Sequence, residues 1–394
     1  MKTVAGHQYP ATYFFDEEKT NMTSGIKTTI TDQQIAELKT RIGEVVRTDY
    51  EDWQLDDARY KRAIIRTWAV LNADMRPLYM DPEYAGQSPW GSIIAPPAII
   101  VSHEQIDPET DIFPGAFSRL NAMQLDFDQP IHMGDIILAE SEITAVEEVT
   151  NTGVNGRVVC VSITTRVSTN ENQSIGRVQL DWHMYERGSD AQRELYGDRQ
   201  DAHMHSQGDI EALGEEYKLE QQRGADTLFW GDVQEGNELQ CVVKGPTTRA
   251  RHIPRSESTW YWGHKQANDE SKQHPERFFE NENGALEPIM AIDWVHHRAQ
   301  RWGDLPGALE SNVDRPNFII QALANWMGDA GYPLHIKLEF PVTNMIGDVT
   351  RSYGRVTGKR QEGDTSIVQL EVWQENQLQQ PITTGTAEVI LPTA

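Results

Sequence analysis

Apolar residues recur at helical spacing near the start of the chain. In ITDQQIAELKTRIG, Ile35, Leu38 and Ile42 share one face, Thr31 can accept hydrogen bonds from the freed amides, and Gly43 can stop the turn. A capped helix is predicted over 30–43. A second is predicted over 57–72, with Ile64, Trp68 and Leu71 on one face. The Pro- and Gly-punctuated stretch 74–100 predicts an ordered loop between helices. From Leu125 onward the pattern changes to alternation. GRVVCVSITTRVSTNENQSIGRVQLDWHMYER holds two Val-, Ile- and Thr-rich runs around a polar turn, which predicts an antiparallel meander.

Residues 188–228 are polar and predict a linker carrying one solvated helix, GDIEALGEEYKLEQQRG. LFWGDVQEGNELQCVVKGP reads as a strand-like opening to the second half. PNFIIQALANWMGDAG follows as an apolar helix, with Ile319, Ile320, Leu323, Trp326 and Met327 on one face. A second meander closes the chain. Both meanders place Pro, then Gly-Asp (Gly134-Asp135 and Gly347-Asp348), then a strand pair with a polar turn. The shared order predicts a duplicated helix-then-sheet unit. The organisation expected is an arm over 1–28, a first unit over 29–187, a linker over 188–228 and a second unit over 229–394.

Composition narrows the function. With 38% hydrophobic residues and 11 Trp, the 394-residue chain can build a core. A net charge of −25 disfavours broad nucleic-acid binding, because phosphate is repelled. Cys160 and Cys241 cannot form a disulfide framework, and a reducing, cytoplasmic compartment is expected. No signal peptide and no membrane span is predicted. His203 and His205 have no Cys or acidic partner at ligand spacing, so no metal site is expected. No nicotinamide or flavin motif is evident.

NADMRPLYMDPEYAGQSPWGSIIAPPAII (72–100) resembles the N-terminal domain of two-domain MaoC-like acyl dehydratases. Those proteins carry a Gly-Asp-x-Asn-Pro-Leu stretch, then Asp-Pro-Glu-Tyr-Ala, then a Gly-rich turn into Ala-Pro-Pro. FWGDVQEGNELQCVVKGPTTR, IDWVHHRAQRWGDLPGALE, NWMGDAG and GTAEVILP resemble the C-terminal domain. The resemblance implies an α+β tandem hotdog (double hotdog), each unit a long helix wrapped by a curved antiparallel sheet. It further implies reversible hydration of an enoyl-CoA thioester, with coenzyme A as part of the substrate and no separate cofactor. A monomer or a homodimer of double hotdogs is expected.

Such hydration needs a carboxylate and an imidazole to move a proton between water and the α-carbon, and a backbone amide to polarise the thioester carbonyl. Single-domain relatives use Asp-x-Asn-Pro-x-His. Here Asp74 keeps the acid, Arg76 replaces Asn and Tyr79 replaces His. The stretch where two-domain relatives place a histidine reads Asp293-Trp294-Val295, with His296 and His297 one helical turn on. The catalytic candidates are therefore Asp74, Tyr79, Asp293, His296 and His297. Substrate contacts carried over by the resemblance are Arg76, Trp90, Gly91, Pro96 and Trp294, and the basic Arg249 and Arg251 are candidates for coenzyme A phosphates. Asp269 and His274 form a competing pair at the same spacing but lack the Asn-Pro turn. Structural roles are also open: Asp74 can bond the loop backbone, Tyr79 can be a packed aromatic and both histidines can be structural. The alternatives to a hydratase are a degenerate acyl-CoA-binding or partner subunit, or a hotdog thioesterase using one carboxylate.

Overall fold

A computed structural model of the chain describes residues 26–47, 58–108, 112–149, 155–196, 201–248, 271–311 and 313–393, together with Arg199 and Asp269. Most of the strands form one antiparallel sheet. Its first half contains β2 (Phe117–Phe127), β3 (Ile137–Glu148), β4 (Val158–Thr169) and β5 (Ser174–Tyr185). Its second half contains β9 (Tyr332–Glu339), β10 (Thr350–Glu362), β11 (Thr365–Asn376) and β12 (Pro381–Ile390). With the short edge strands β1 (Val45–Arg47) and β6 (Val242–Lys244), the order is β1-β3-β4-β5-β2-β9-β12-β11-β10-β6. The order reads the same from both ends when the halves are exchanged, as a duplication requires. The halves join where β2 pairs with β9, from Ala122 opposite Glu339 to Asp126 opposite His335, so the local two-fold passes between Gln124 and Lys337. β7 (Phe278–Glu280) and β8 (Leu286–Pro288) form a separate hairpin.

The Gly-Asp turns are built alike. Gly134 (φ 108°) and Gly347 (φ 103°) take backbone conformations that a Cβ would strain. The Asp135 carboxylate accepts from the His132 amide at 2.8 Å, and the Asp348 carboxylate accepts from the Met345 amide at 2.8 Å. A bridge pairs Ile94 with His132 in one half and Leu309 with Met345 in the other.

The helices are less symmetric. α1 (Asp32–Thr40) has the expected cap, a reciprocal pair between Thr31 and Gln34. α2 (Arg62–Leu71) buries Ile65 and Ala69, whereas Ile64 of the expected face is exposed. The expected loop contains two short helices, α3 (Pro77–Met80) and α4 (Pro82–Gln87), each opened by a proline that needs no amide partner. The linker carries α5 (Asp190–Glu194) and α6 (Gln207–Tyr217), the latter with a Ser206–Asp209 capping box. α7 (His296–Trp302) precedes α8 (Asp314–Met327), a 14-residue helix buried along nearly its whole length against β6, β9, β10 and β11. The expectation of a long helix in both units is corrected in the first. There the sheet wraps a seven-residue 3-10 helix, Pro97–His103, which also touches α8. Pro96 and Pro97 remove amide donors, and Ile99, Ile100 and Val101 are β-branched, so a longer α-helix is disfavoured. No described helix is long and apolar enough to cross a membrane.

The end of the 3-10 helix makes stability pH-dependent. The His103 ring lies 2.7 Å from the Tyr60 hydroxyl, and burial pushes its pKa down to about 4 from the ordinary 6.5. Between these values the unfolded chain holds a proton that the folded chain lacks. Stability is therefore complete above pH 6.5 and falls as pH drops toward 4. His103 is only half-buried by surface, so the expected loss is limited to about 1–2 kcal/mol. The difference between urea midpoints at pH 7 and pH 5 should shrink in His103→Gln, leaving the share of His183, which burial also pushes down to about 4; an unchanged difference would remove His103 as a cause.

Candidate active site

Asp74 is positioned where α2 ends. Asn72 caps the helix and its side chain donates to the Trp68 carbonyl at 2.8 Å. Ala73 turns the chain at φ 50°, and the Asp74 amide returns to the Ala69 carbonyl at 2.9 Å. Extended Arg76 then leads into Pro77 and α3, which buries Tyr79. The local sequence thus puts Asp74, Arg76 and Tyr79 inside the protein.

The Arg76 guanidinium donates to both Asp74 oxygens, at 3.0 and 3.1 Å, and to Asn325 of α8 at 3.1 Å. It also stacks 5.1 Å from the centre of the Tyr79 ring. The buried Lys244 ammonium and the Gln321 amide both donate to the Ala73 carbonyl, at 3.2 and 3.3 Å. Glu220, from the segment between the halves, accepts from Gln321 at 2.9 Å and Asn325 at 3.0 Å, and lies 3.8 Å from Lys244. Burial raises the Asp74 pKa above its ordinary 3.8; Arg76 and Lys244 oppose this, and the net direction is upward. Burial likewise pushes the Tyr79 hydroxyl up, so it is a proton donor at neutral pH.

Asp74 and Tyr79 line one small cavity with Trp68, Pro96, Ala98 and Asn317. It leaves about 10 Å³, room for about one water. Trp68 donates to Asn317 at 3.0 Å, which ties this wall to α8. The cavity stands at the start of the 3-10 helix. Among the described residues lining it there is no histidine. Trp90 donates to the Asp329 carbonyl at 2.7 Å, and Tyr84 to the Asp329 carboxylate at 2.5 Å, which clamps α4 and its following turn onto the end of α8. Gly91 is exposed in that turn at φ 70°.

The other candidates lie elsewhere. Asp293 is buried, but Arg187 holds both its oxygens, at 2.8 and 2.9 Å. Trp294 packs on a small core of Phe279, Ile289, Ile292 and Trp302. His296 is exposed and 3.1 Å from Asp201; His297 is exposed and 2.9 Å from Glu282. None of these four lines the Asp74 cavity. Asp269 lies 4.0 Å from Lys272 and His274 lies 3.5 Å from Glu276. Arg249 and Arg251 lie outside the described residues. His205 bonds the Gly347 carbonyl at 2.7 Å, and no described group of His, Cys, Asp and Glu could hold a metal.

Asn317, Gln321, Asn325, Lys244 and Glu220 were not anticipated. The sequence did carry a signal for three of them: Asn317, Gln321 and Asn325 recur every fourth residue in the most apolar helix of the second half. Such a polar stripe marks a helix face turned to a buried polar partner.

Comparison with known proteins agrees with this architecture. The family model for the FAS1-like dehydratase domain region matches residues 52–177. A solved MaoC-like dehydratase superposes with a TM-score of 0.59 at 13% identity, covering 91% of this chain and 100% of that one. A MaoC domain protein dehydratase from Chloroflexus aurantiacus superposes with a TM-score of 0.57 at 10% identity, covering 90% of this chain and 96% of that one. A double-hotdog protein from Mycobacterium tuberculosis superposes with a TM-score of 0.51 at 9% identity, covering 89% of this chain and 96% of that one. No curated protein matches the sequence. The fold is the double hotdog of MaoC-like dehydratases.

Proposed function

We propose that this double hotdog, built on the MaoC-like dehydratase plan, catalyses reversible hydration of a trans-2-enoyl thioester carried by coenzyme A, with Asp74 as acid and base. The observation that carries this reading is that Asp74 and Tyr79 share one buried cavity at the foot of the 3-10 helix. In the hydration direction the Asp74 carboxylate takes a proton from water. The hydroxyl oxygen bonds the β-carbon, and the double-bond electrons move to the α-carbon and thioester carbonyl. Asp74 then gives the proton to the α-carbon, restoring the carboxylate. Tyr79, kept protonated by burial, supplies a hydrogen bond to the developing charge. Arg76 orients the carboxylate and Asn325 orients Arg76. Because the β2–β9 seam joins two units in one chain, a single chain suffices for the site, alone or in a dimer.

A second reading, thioester binding without turnover, is favoured by one observation: Arg76 already occupies both Asp74 oxygens. An assay with short and medium trans-2-enoyl-CoA substrates separates the two. Hydration is expected to remove the enoyl absorbance without releasing thiol. Thiol release means hydrolysis instead, and tight binding with neither signal establishes the second reading.

A further inference from the structure

A cavity of about 760 Å³ lies away from Asp74, where β2, β4 and β5 meet α5 and the segment after β9. It borders a second, smaller core made by Phe117, Val158, Tyr185, Ala191 and Tyr196. Val158, Leu195, Val342 and Leu378 give it apolar walls, and His183, Tyr185 and Tyr196 contribute polar groups. Its volume is that of a small-molecule site.

Two buried polar atoms lack partners here: the hydroxyl of Tyr196, in the cavity wall, and Nε of Arg119, behind the lining residues His183 and Tyr185. Arg119 of β2 sits opposite His183 in the β2–β5 register and is 5% exposed. One of its terminal nitrogens donates to the Phe340 carbonyl and the guanidinium bonds the Tyr185 hydroxyl, but Nε has no acceptor. No carboxylate pairs with it among the described residues. A buried guanidinium without an anion is costly. Arg187 and Arg199 are paired, with Asp293 and with Asp348 at 2.7 and 2.5 Å, whereas Arg315, within the electrostatic reach of Arg119, bonds the Val342 and Ile382 carbonyls and is offset by the nearby Glu310 and Asp314. The hydroxyl of Tyr196, which itself lines the cavity and is 8% exposed, also has no partner. It lies within the electrostatic reach of Asp293, which Arg187 neutralises, and of Arg119 and Tyr185.

We propose that this cavity binds an organic monocarboxylate, with the carboxylate held by Arg119 Nε and the Tyr196 hydroxyl and the apolar body between Val158, Leu195, Val342 and Leu378. The Arg119 guanidinium has no carboxylate bonded to it and favours an anionic ligand, and two donors fit the two oxygens of a carboxylate. The apolar walls exclude a free inorganic ion as the preferred occupant.

Isothermal titration of the full chain with octanoate, using octanamide as the neutral control, tests the proposal. Octanoate is expected to bind at least about tenfold more tightly than octanamide. Arg119→Gln is expected to remove that difference. Leu378 is 46% exposed at the cavity wall, so Leu378→Glu should fold normally, and its added charge should weaken octanoate by about tenfold. Tyr79→Phe, at the other cavity, should leave octanoate affinity unchanged; a matching loss there would locate octanoate at the Asp74 site and overturn the proposal. Equal affinity for acid and amide, no octanoate binding, or wild-type binding by Leu378→Glu would overturn it too. This readout is independent of any turnover at Asp74.

Discussion

Asp293→Asn is expected to lower folding stability by about 3–5 kcal/mol, read as a drop in the denaturant midpoint. The reason is the state of its partner. The Arg187 side chain is 2% exposed and that of Asp293 is 9% exposed, so neither charge can turn to water when the other is lost. Arg187 also donates to the Gly115 carbonyl, at 3.3 Å, and lies over the face of Phe117, but a neutral carbonyl or a ring face does not replace a bidentate carboxylate. The backbone consequence is local: the Asp293 carbonyl also accepts from Leu309 at 3.0 Å, just before α8. Removing both charges as Arg187→Met with Asp293→Leu should recover most of the loss, because replacing a buried ion pair with apolar side chains is often neutral. Turnover per folded molecule in Asp293→Asn should remain near that of the parent. A stable Asp293→Asn that has lost turnover would reverse the assignment and return Asp293 to the chemistry.

The same residue shows where sequence reading stops. Its burial beside Trp294 was open to inference from the apolar context, but its partner lies 106 residues earlier at the end of β5. Nothing in the spacing of either residue announces that pair. Local features were far more legible. The two Gly-Asp turns repeat because a positive-φ residue followed by a carboxylate that bonds back to the preceding amide is a self-contained device. The Val-, Ile- and Thr-rich runs of β4 and β5 specify strands by their own shape. In α2 the helix was legible but its orientation was off by one residue, because Ile64 and Ile65 are both apolar and only packing selects Ile65. The first unit's wrapped helix was visible only as prolines, since their effect on length depends on how the sheet closes over it.

Within the candidate site the division is similar. Asp74, Arg76 and Tyr79 are neighbours in sequence and α3 keeps them neighbours in space. The further groups that make the site polar enough to bury a carboxylate come from outside the first unit: Asn317, Gln321 and Asn325 from α8, Lys244 from β6, and Glu220 from the connecting segment. The duplicated sheet therefore supplies symmetry, while the chemistry is asymmetric. The first unit gives Asp74 with Arg76 and Tyr79, and the second unit and the connecting segment give the further polar groups around them. This arrangement is possible because the β2–β9 seam holds α8 against the first unit's 3-10 helix.

Loss of the Asp74 carboxylate is expected to lower kcat for enoyl thioester hydration by about 10²–10⁴-fold, the usual range for a general acid–base group. Asp74→Asn alone mixes two effects, because Arg76 would be left buried with less compensation and the fold would weaken. Asp74→Asn combined with Arg76→Gln removes both charges and keeps similar side-chain volumes, and Asn325 can still bond the new amide. That double variant should melt near the parent and still lose turnover. Tyr79→Phe removes only a hydroxyl and should cost about tenfold or less. The pH profile adds an independent check. Burial holds the Asp74 pKa above the ordinary 3.8, so parental kcat/KM for hydration should rise with pH through that higher value as the base ionises. That limb should vanish in the double variant. If the double variant hydrates at the parental rate with the same limb, Asp74 is a structural carboxylate and the proton passes through another group.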